Sequence, residues 1–283
     1  METVTTIGEL RARTAAWRDR GERIAFVPTM GNLHAGHLRL VQHARTVADR
    51  VVVSIFVNPT QFGPNEDYAS YPRTLEVDKQ ALVDADADLL FAPPVEEVYA
   101  GDLETATRVE VPGLSDILCG EFRPGFFSGI ATVVTRLFNM VQPQVAVFGE
   151  KDYQQLVLIR RMARDLCIPV EVLGVATERE PDGLAMSSRN GYLNTAEHQQ
   201  APGLYRALCA VRDALEAGAR DYGQLERAAM AALSAAGFKP DYVSIRRQAD
   251  LAPPGTDDAD LIVLAAATLG TARLIDNIKI SIT

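Results

Sequence analysis

The chain is poor in cysteine, histidine and tryptophan, short of basic charge, and has no long apolar run. Its 283 residues include 3 cysteines, 4 histidines and 1 tryptophan. Cys119, Cys167 and Cys209 are odd in number and far apart, so neither a disulfide framework nor a structural zinc site is expected, and a reduced, cytoplasmic setting is. Apolar runs such as Leu261 to Ala267 are too short to span a bilayer. Met1 to Thr6 carry neither a basic nor an apolar stretch, so no secretory signal is expected. Lys+Arg number 28 against 37 Asp+Glu, a net charge of −9. That balance argues against nucleic acid or an anionic membrane as partner, and a small polyanion would need a local basic pocket. There is no internal repeat, and the alanine enrichment between Ala201 and Ala236 is ordinary helix-former usage.

Against that scarcity, His34 and His37 lie only three residues apart, inside Met30-Gly31-Asn32-Leu33-His34-Ala35-Gly36-His37. The run Ile24 to Val27, ended by Pro28-Thr29, predicts a buried parallel strand, and His37, Leu38, Leu40, Val41 and Ala44 have helical spacing. Strand, tight turn and helix offer a phosphate the unpaired N–H groups and positive dipole end of a helix. Two histidines in the first turn can face one ligand and donate to phosphate oxygens as charge grows on a transferring phosphoryl group. Gly36 allows close approach. The plainer alternative makes His34 a helix cap and His37 a surface histidine. The turn is not a Walker A loop, since it lacks the Gly-Lys-Ser/Thr ending.

The length suits about two domains. Val51 to Val57 is an almost continuous β-branched run, as in a strand covered on both faces, and Asn58-Pro59 ends it. Helical and strand patterns then alternate: Leu75 to Asp84, Asp88 to Phe91, Ile130 to Val141, Val145 to Phe148, Tyr153 to Leu166 and Val170 to Val175. This order predicts an α/β fold, a Rossmann-like, doubly wound parallel sheet over residues 1–177, with ligands at the carboxyl ends of its strands. From 178 to 283 a smaller α+β lid domain is expected. It begins in the polar loop Thr177 to Asn190, followed by helices near Pro202 to Ala217 and Tyr222 to Ala236. Strands Tyr242 to Ile245 and Leu261 to Ala267, closed by Arg273 to Ile282, would form an antiparallel sheet.

Three further constellations sit where such a fold binds ligands. Gly149, Glu150, Lys151 and Asp152 follow a strand and open a helix; Lys151 can neutralise an α-phosphate, Asp152 can accept from a ribose hydroxyl, and Gln155 lies one turn on. A helix start with acids complementing its dipole explains the same residues more plainly. Met186, Ser187, Ser188 and Arg189 suit terminal phosphates, or a solvated turn. Gln61, after the Val51 strand, is offered to the same crevice.

Together these residues resemble the pantoate–β-alanine ligase (pantothenate synthetase) family of nucleotidylyltransferases with a His-x-Gly-His turn. The resemblance spans nearly the whole chain: Val27 to Gly31, Val53 to Pro59, Tyr71 to Thr74, Phe148 to Gln155, Asp182 to Asn190 and Leu274 to Asn277. The group also resembles class I tRNA synthetases, whose serine-containing lid motif corresponds to Ser187 to Arg189. Where the family usually reads Arg-Pro-Gly-His-Phe-Arg-Gly, this chain reads Arg123-Pro124-Gly125-Phe126-Phe127-Ser128-Gly129. Thr60 and the acidic Glu178, placed to offer backbone to adenine, are smaller departures.

The resemblance implies that (R)-pantoate attacks the α-phosphate of ATP to give pantoyl adenylate and pyrophosphate, and that β-alanine then displaces AMP. His34, His37 and Lys151 would bear the transition-state charge, and Mg²⁺ would bridge the outer phosphates, with no metal ligand expected from the protein. Ser187, Ser188 and Arg189 would hold β- and γ-phosphates. Gln61 and Gln155 would bind pantoate through neutral amides, which orient a carboxylate nucleophile without quenching it. The family suggests a homodimer. Two other readings stay open on the residues alone: a sister nucleotidylyltransferase, which would favour a basic acceptor pocket, and a non-catalytic ATP-binding module, motivated by Phe126 and Ser128.

Overall fold

The first two elements are ones that apolar periodicity does not announce. Strand β1 (Glu2–Val4) feeds helix α1 (Ile7–Asp19), which opens on a reciprocal cap: Thr6 Oγ1 accepts from Glu9 N at 3.2 Å while Glu9 Oε2 accepts from Thr6 N at 3.1 Å. The computed structural model describes residues 1–63, 66–101, 103 and 105–282. The chain divides into two compact units, Met1–Glu150 with Leu158–Ala176, and Lys151–Val157 with Thr177–Thr283.

In the first unit, β2 (Ile24–Thr29), α2 (Ala35–Val47), β3 (Arg50–Ile55), α3 (Leu75–Asp84), β4 (Leu89–Phe91), α4 (Val95–Val98), α5 (Cys119–Phe122), α6 (Phe126–Val141) and β5 (Val145–Gly149) follow in order. Helix α7 (Tyr153–Asp165) leads to β6 (Glu171–Val175). All strand pairs are parallel, in the order β1-β4-β3-β2-β5-β6, as the alternating pattern predicts. Period-2 alternation assigns the two faces of β2. Ala25 and Val27 pack with Leu40, Val41 and Ala44 of α2, whereas Phe26 meets Phe138 of α6 edge-on at 6.4 Å. Both faces are therefore covered, and Ile24, Phe26, Val51, Val52 and Val53 have no exposed surface. Each such side chain contributes about 1.5–3 kcal/mol through burial.

The strand expected to run to Val57 leaves the ladder at Ile55, because its partner β2 ends at Thr29 and the two residues are the last in register. Helix α6 starts one turn before the expected Ile130, since Gly125, with φ +82°, supplies the left-handed entry.

The direction of chain progression reverses between β2 and β5. From that point β2 leads into Met30–His37 and β5 into Gly149 and Glu150, the place where open α/β sheets bind ligands.

The second unit contains the start of α7, then α8 (Thr195–Gln200), α9 (Gly203–Glu216), α10 (Tyr222–Ala235) and an antiparallel sheet β7 (Lys239–Arg247), β8 (Asp260–Leu269) and β9 (Ala272–Ser281). Its core joins Leu204, Leu208, Val211 and Leu215 of α9 to Leu261, Val263 and Ala265 of β8 and Leu274 and Ile280 of β9. Strand β7 is longer than the expected Tyr242 to Ile245, with a register shift between Pro240 and Tyr242 that admits the proline. No helix among the described residues is long and apolar enough to cross a membrane.

Candidate active site

The turn after β2 is built on backbone N–H groups and one buried acid. Gly31 has φ +81°, and a Cβ there would lie 3.0 Å from Ile55 Cγ2 and 3.1 Å from Asp78 Oδ2, so only glycine fits. Thr29 Oγ1 donates to Ser54 O at 2.8 Å and accepts from Gly31 N at 3.2 Å. Asp78 of α3, 2% exposed, accepts from Asn32 N at 2.9 Å, Leu33 N at 2.8 Å and Thr74 Oγ1 at 3.2 Å. It was not among the residues singled out above. The signal was present in the sequence as an acid on the inward side of a helix, beside Leu82, where a carboxylate needs partners.

His34 is the N-cap of α2, so the plainer structural reading holds for it: its Nδ1 accepts from Gly36 N at 3.2 Å. His37 Nδ1 accepts from His34 N at 3.4 Å, and the two rings lie 4.1 Å apart. A neutral imidazole whose Nδ1 accepts carries its proton on Nε2, so both rings are set as Nε2–H donors. Capping and the chemical role thus use different nitrogens. Met30, Asn32, Leu33, Gly36 and His37 are half-buried, and Ala35 is exposed.

Buried Asn58 caps the short 3-10 turn Pro59–Gln61 after β3. Its Oδ1 accepts from Tyr99 Oη at 2.9 Å and Thr60 Oγ1 at 3.0 Å, and its Nδ2 donates to Gly129 O at 3.2 Å. Burial pushes the Tyr99 phenol up, with bonds to Thr60 and Asn58 and the charge of Arg136 opposing, so the hydroxyl stays a donor. A Cβ on Gly129 would lie 2.3 Å from Thr60 O, so α6 sits against this turn only because residue 129 is glycine. Half-buried Gln61 is held through its carbonyl by Arg123 Nη2 at 3.2 Å. Arg123 also grips Glu66 with Nε–Oε1 2.7 Å and Nη2–Oε2 2.5 Å, and its guanidinium lies 3.5 Å over the Phe126 ring. Phe126 therefore supports Arg123 with its π face, a role that needs no ring nitrogen. Ser128 Oγ reaches Val109 O at 3.4 Å.

In the second unit, Lys151 belongs to the 3-10 turn Glu150–Asp152 that precedes α7, and its carbonyl accepts from Asn277 Nδ2 at 2.9 Å. Gly149 and Glu150, at the end of the first unit, are half-buried, as are Lys151 and Gln155, while Asp152 is exposed. The segment from Thr177 closes with an isolated antiparallel bridge between Arg179 and Ala185. Glu178 exposes its side chain, and its carbonyl accepts from Met186 N at 3.0 Å. Ser187 caps a 3-10 turn, Ser188–Tyr192, by accepting from Arg189 N at 3.2 Å; Met186, Ser188 and Arg189 are half-buried. Lys151 and Ser187 line one cavity with Asn190, Tyr205 and Asp276, so the structure brings these two predicted residues together. Gln61 and Gln155 lie in different units.

Arg179, Asp276 and Asn277 had been given no role. Arg179 pairs with Asp276 through Nη1–Oδ2 2.7 Å and Nη2–Oδ1 2.9 Å, and its guanidinium lies 3.7 Å over Tyr205. Burial pushes the Asp276 carboxyl up, while Arg179, the Asn277 N–H and Lys151 favour its charged form. Burial likewise raises the Tyr205 phenol, helped by neighbouring Cys209. Among the described residues, three donors of metal-ligating type, Glu180, Asp182 and His198, lie within 4.8 Å of one another, with His198 Nε2 and Glu180 Oε2 3.4 Å apart.

A family model described as pantoate-beta-alanine ligase matches residues 2–279. Pantothenate synthetase of Methylococcus capsulatus is 58% identical over 282 residues, covering 100% of this chain and 99% of that protein, and the one from Chromohalobacter salexigens is 57% identical. The crystal structure of the Thermus thermophilus enzyme superposes with a TM-score of 0.91 at 52% identity, covering 98% of this chain and 99% of that one. The Francisella tularensis ligase, complexed with beta-gamma ATP and beta-alanine, has a TM-score of 0.82 at 34% identity, over 98% of this chain and 97% of its own. This chain belongs to the pantoate–β-alanine ligase family.

Proposed function

We propose that this ligase works by adenylation: a carboxylate oxygen of (R)-pantoate attacks the α-phosphorus of ATP, pyrophosphate leaves, and the amine of β-alanine then attacks the acyl carbon of pantoyl adenylate. AMP departs with the acyl C–O bond pair, and the amine loses a proton. The observation that supports this reading best is the adjacent His34–His37 pair, rings 4.1 Å apart and tilted by 44°, set as Nε2–H donors at the start of α2 where the sheet order reverses. Lys151 adds a point charge for the α-phosphate, and Ser187, Ser188 and Arg189 hold the outer phosphates. Gly149 and Glu178 offer backbone to the nucleotide, Asp152 a carboxylate to the ribose, and Gln61 and Gln155 amides to pantoate. The groups assigned to phosphate are donors and cations, so Mg²⁺ would enter with the ATP phosphates and would supply neutralising charge there.

The second unit is assigned the part of a lid that keeps water from the adenylate. A cytoplasmic homodimer with no nucleic acid or membrane partner completes the proposal.

Incubation with ATP, pantoate and β-alanine should give AMP and pyrophosphate, read by nucleotide chromatography; ADP as product would sink the mechanism. Pantoate without β-alanine should support exchange of labelled pyrophosphate into ATP, because the adenylate forms first.

The Phe126→His variant should keep this chemistry. The Arg123–Phe126 contact is half-buried, where a cation–π interaction is worth about 1–2 kcal/mol, so substrate KM values should move by no more than about thirtyfold. A natural protein without pantothenate-forming activity, restored by Phe126→His with Ser128→Arg, would instead favour the binding-module reading.

A further inference from the structure

Strand β9 places two polar residues side by side in a buried stretch: Asp276 is 4% exposed and Asn277 6%. Asp276 shares the inward register of Leu274 and Ile280, which are core residues, while Asn277 faces the other way. Burying a carboxylate in such a register is costly, and a buried ion pair is often no more stabilising than apolar groups of the same volume. The partners of the pair point to a role beyond stability.

Arg179 spends both terminal nitrogens here. Nη1 donates to Asp276 Oδ2 and to Gly183 O at 3.1 Å, and Nη2 to Asp276 Oδ1 and to Asn277 O at 3.2 Å. Asp276 Oδ1 accepts further from Asn277 N at 2.8 Å. Asp276 thus fixes the base of the segment that runs on to Ser187. Asn277 Nδ2 reaches out of the strand and grips the backbone carbonyl of Lys151 at 2.9 Å.

We propose that Asn277 is a positioning residue for the reaction: held by the Arg179–Asp276 pair, it fixes the Lys151 backbone and so aims the ammonium group at the α-phosphate. This inference rests on the role given to Lys151 in the adenylation reading. The Asn277 side chain acts on Lys151 through a main-chain bond. A misplacement of about 1 Å at a charge-bearing group costs about 10²-fold in rate.

The test is a double-mutant cycle in pyrophosphate exchange with the full-length chain. Asn277→Ala should lower kcat by about 10²-fold and leave the KM for pantoate within about twofold, with the Tm lowered by roughly 2–8 °C. Lys151→Ala should also be slow, and the double variant should be no slower than Lys151→Ala alone, because Asn277 then has nothing left to position. Should Asn277→Ala fail to fold, Asn277→Leu, which keeps nearly the same volume without a charge and lacks the Nδ2–H donors, carries the same comparison. Losses that multiply in the double variant, or an Asn277 variant of wild-type kcat beside a crippled Lys151→Ala, would overturn the inference and leave the adenylation reading intact. A Lys151→Ala protein of wild-type rate would overturn both.

Discussion

Lys151→Ala, His34→Ala and His37→Ala should each slow pyrophosphate exchange by about 10²–10³-fold, the usual loss when one donor to developing transition-state charge is removed. The physical ground is that charge accumulates on the phosphoryl oxygens during transfer, so a fixed N–H or ammonium group gains strength at that moment. The two imidazoles are fixed in advance by main-chain bonds to their Nδ1 atoms, and Lys151 is tied at its carbonyl. Because the interaction grows toward the transition state, kcat should fall more than the KM for ATP rises. Gln155→Ala should show the opposite split, raising the KM for pantoate most. Folded variants of Lys151 and both histidines with wild-type exchange rates would remove these three residues from the mechanism.

Asp78→Ala should be the most damaging single change outside the groups assigned to substrate. Its carboxylate accepts from two main-chain N–H groups of the turn and one hydroxyl, and its removal leaves those donors without their acceptor at a position only 2% exposed. Three hydrogen bonds to a charged partner at about 1.5–3 kcal/mol each give about 4.5–9 kcal/mol, of which the desolvation of the buried carboxylate offsets several kcal/mol, so a net loss of about 3 kcal/mol is expected. That corresponds to a fall in Tm of roughly 6–12 °C. The turn should loosen as well, so the KM for ATP should rise. Differential scanning calorimetry with initial rates checks both, and an unchanged Tm would show that water replaces the carboxylate at no cost.

Much of the first sheet was legible because buried parallel strands advertise themselves as β-branched runs, as Val51 to Val53 do, and because glycine and proline punctuate their ends. Strand β1 and helix α1 both escaped: three residues give no period, and the signal for α1 lay in Thr6-x-x-Glu9, a pattern that hydrophobic spacing ignores. Of the site, the groups proposed to touch phosphate were legible from type and place: a paired histidine, a lysine at a strand end, a serine pair beside an arginine. Their supports were not. Asp78 is 46 residues from Asn32, and Asn277 is 126 from Lys151, so each contact exists only once the chain has folded. Leu274 to Asn277 was visible as a motif, but its meaning depended on knowing which residues it faces.

The capping bonds of the histidine turn bear on how any variant of it is read. His34 satisfies the Gly36 N–H at the start of α2 as well as presenting Nε2, so alanine there removes two things together: a proton donor, and an N-cap worth about 1 kcal/mol. Asparagine at position 34 separates them, since its carbonyl can still cap the helix while its short side chain cannot reach where the imidazole Nε2 stood. A protonated imidazole has the complementary defect: it keeps the outer donor and loses the acceptor at Nδ1. Protonation of His34 would therefore fray the start of α2, and a fall in activity at low pH would report on a helix end as much as on chemistry.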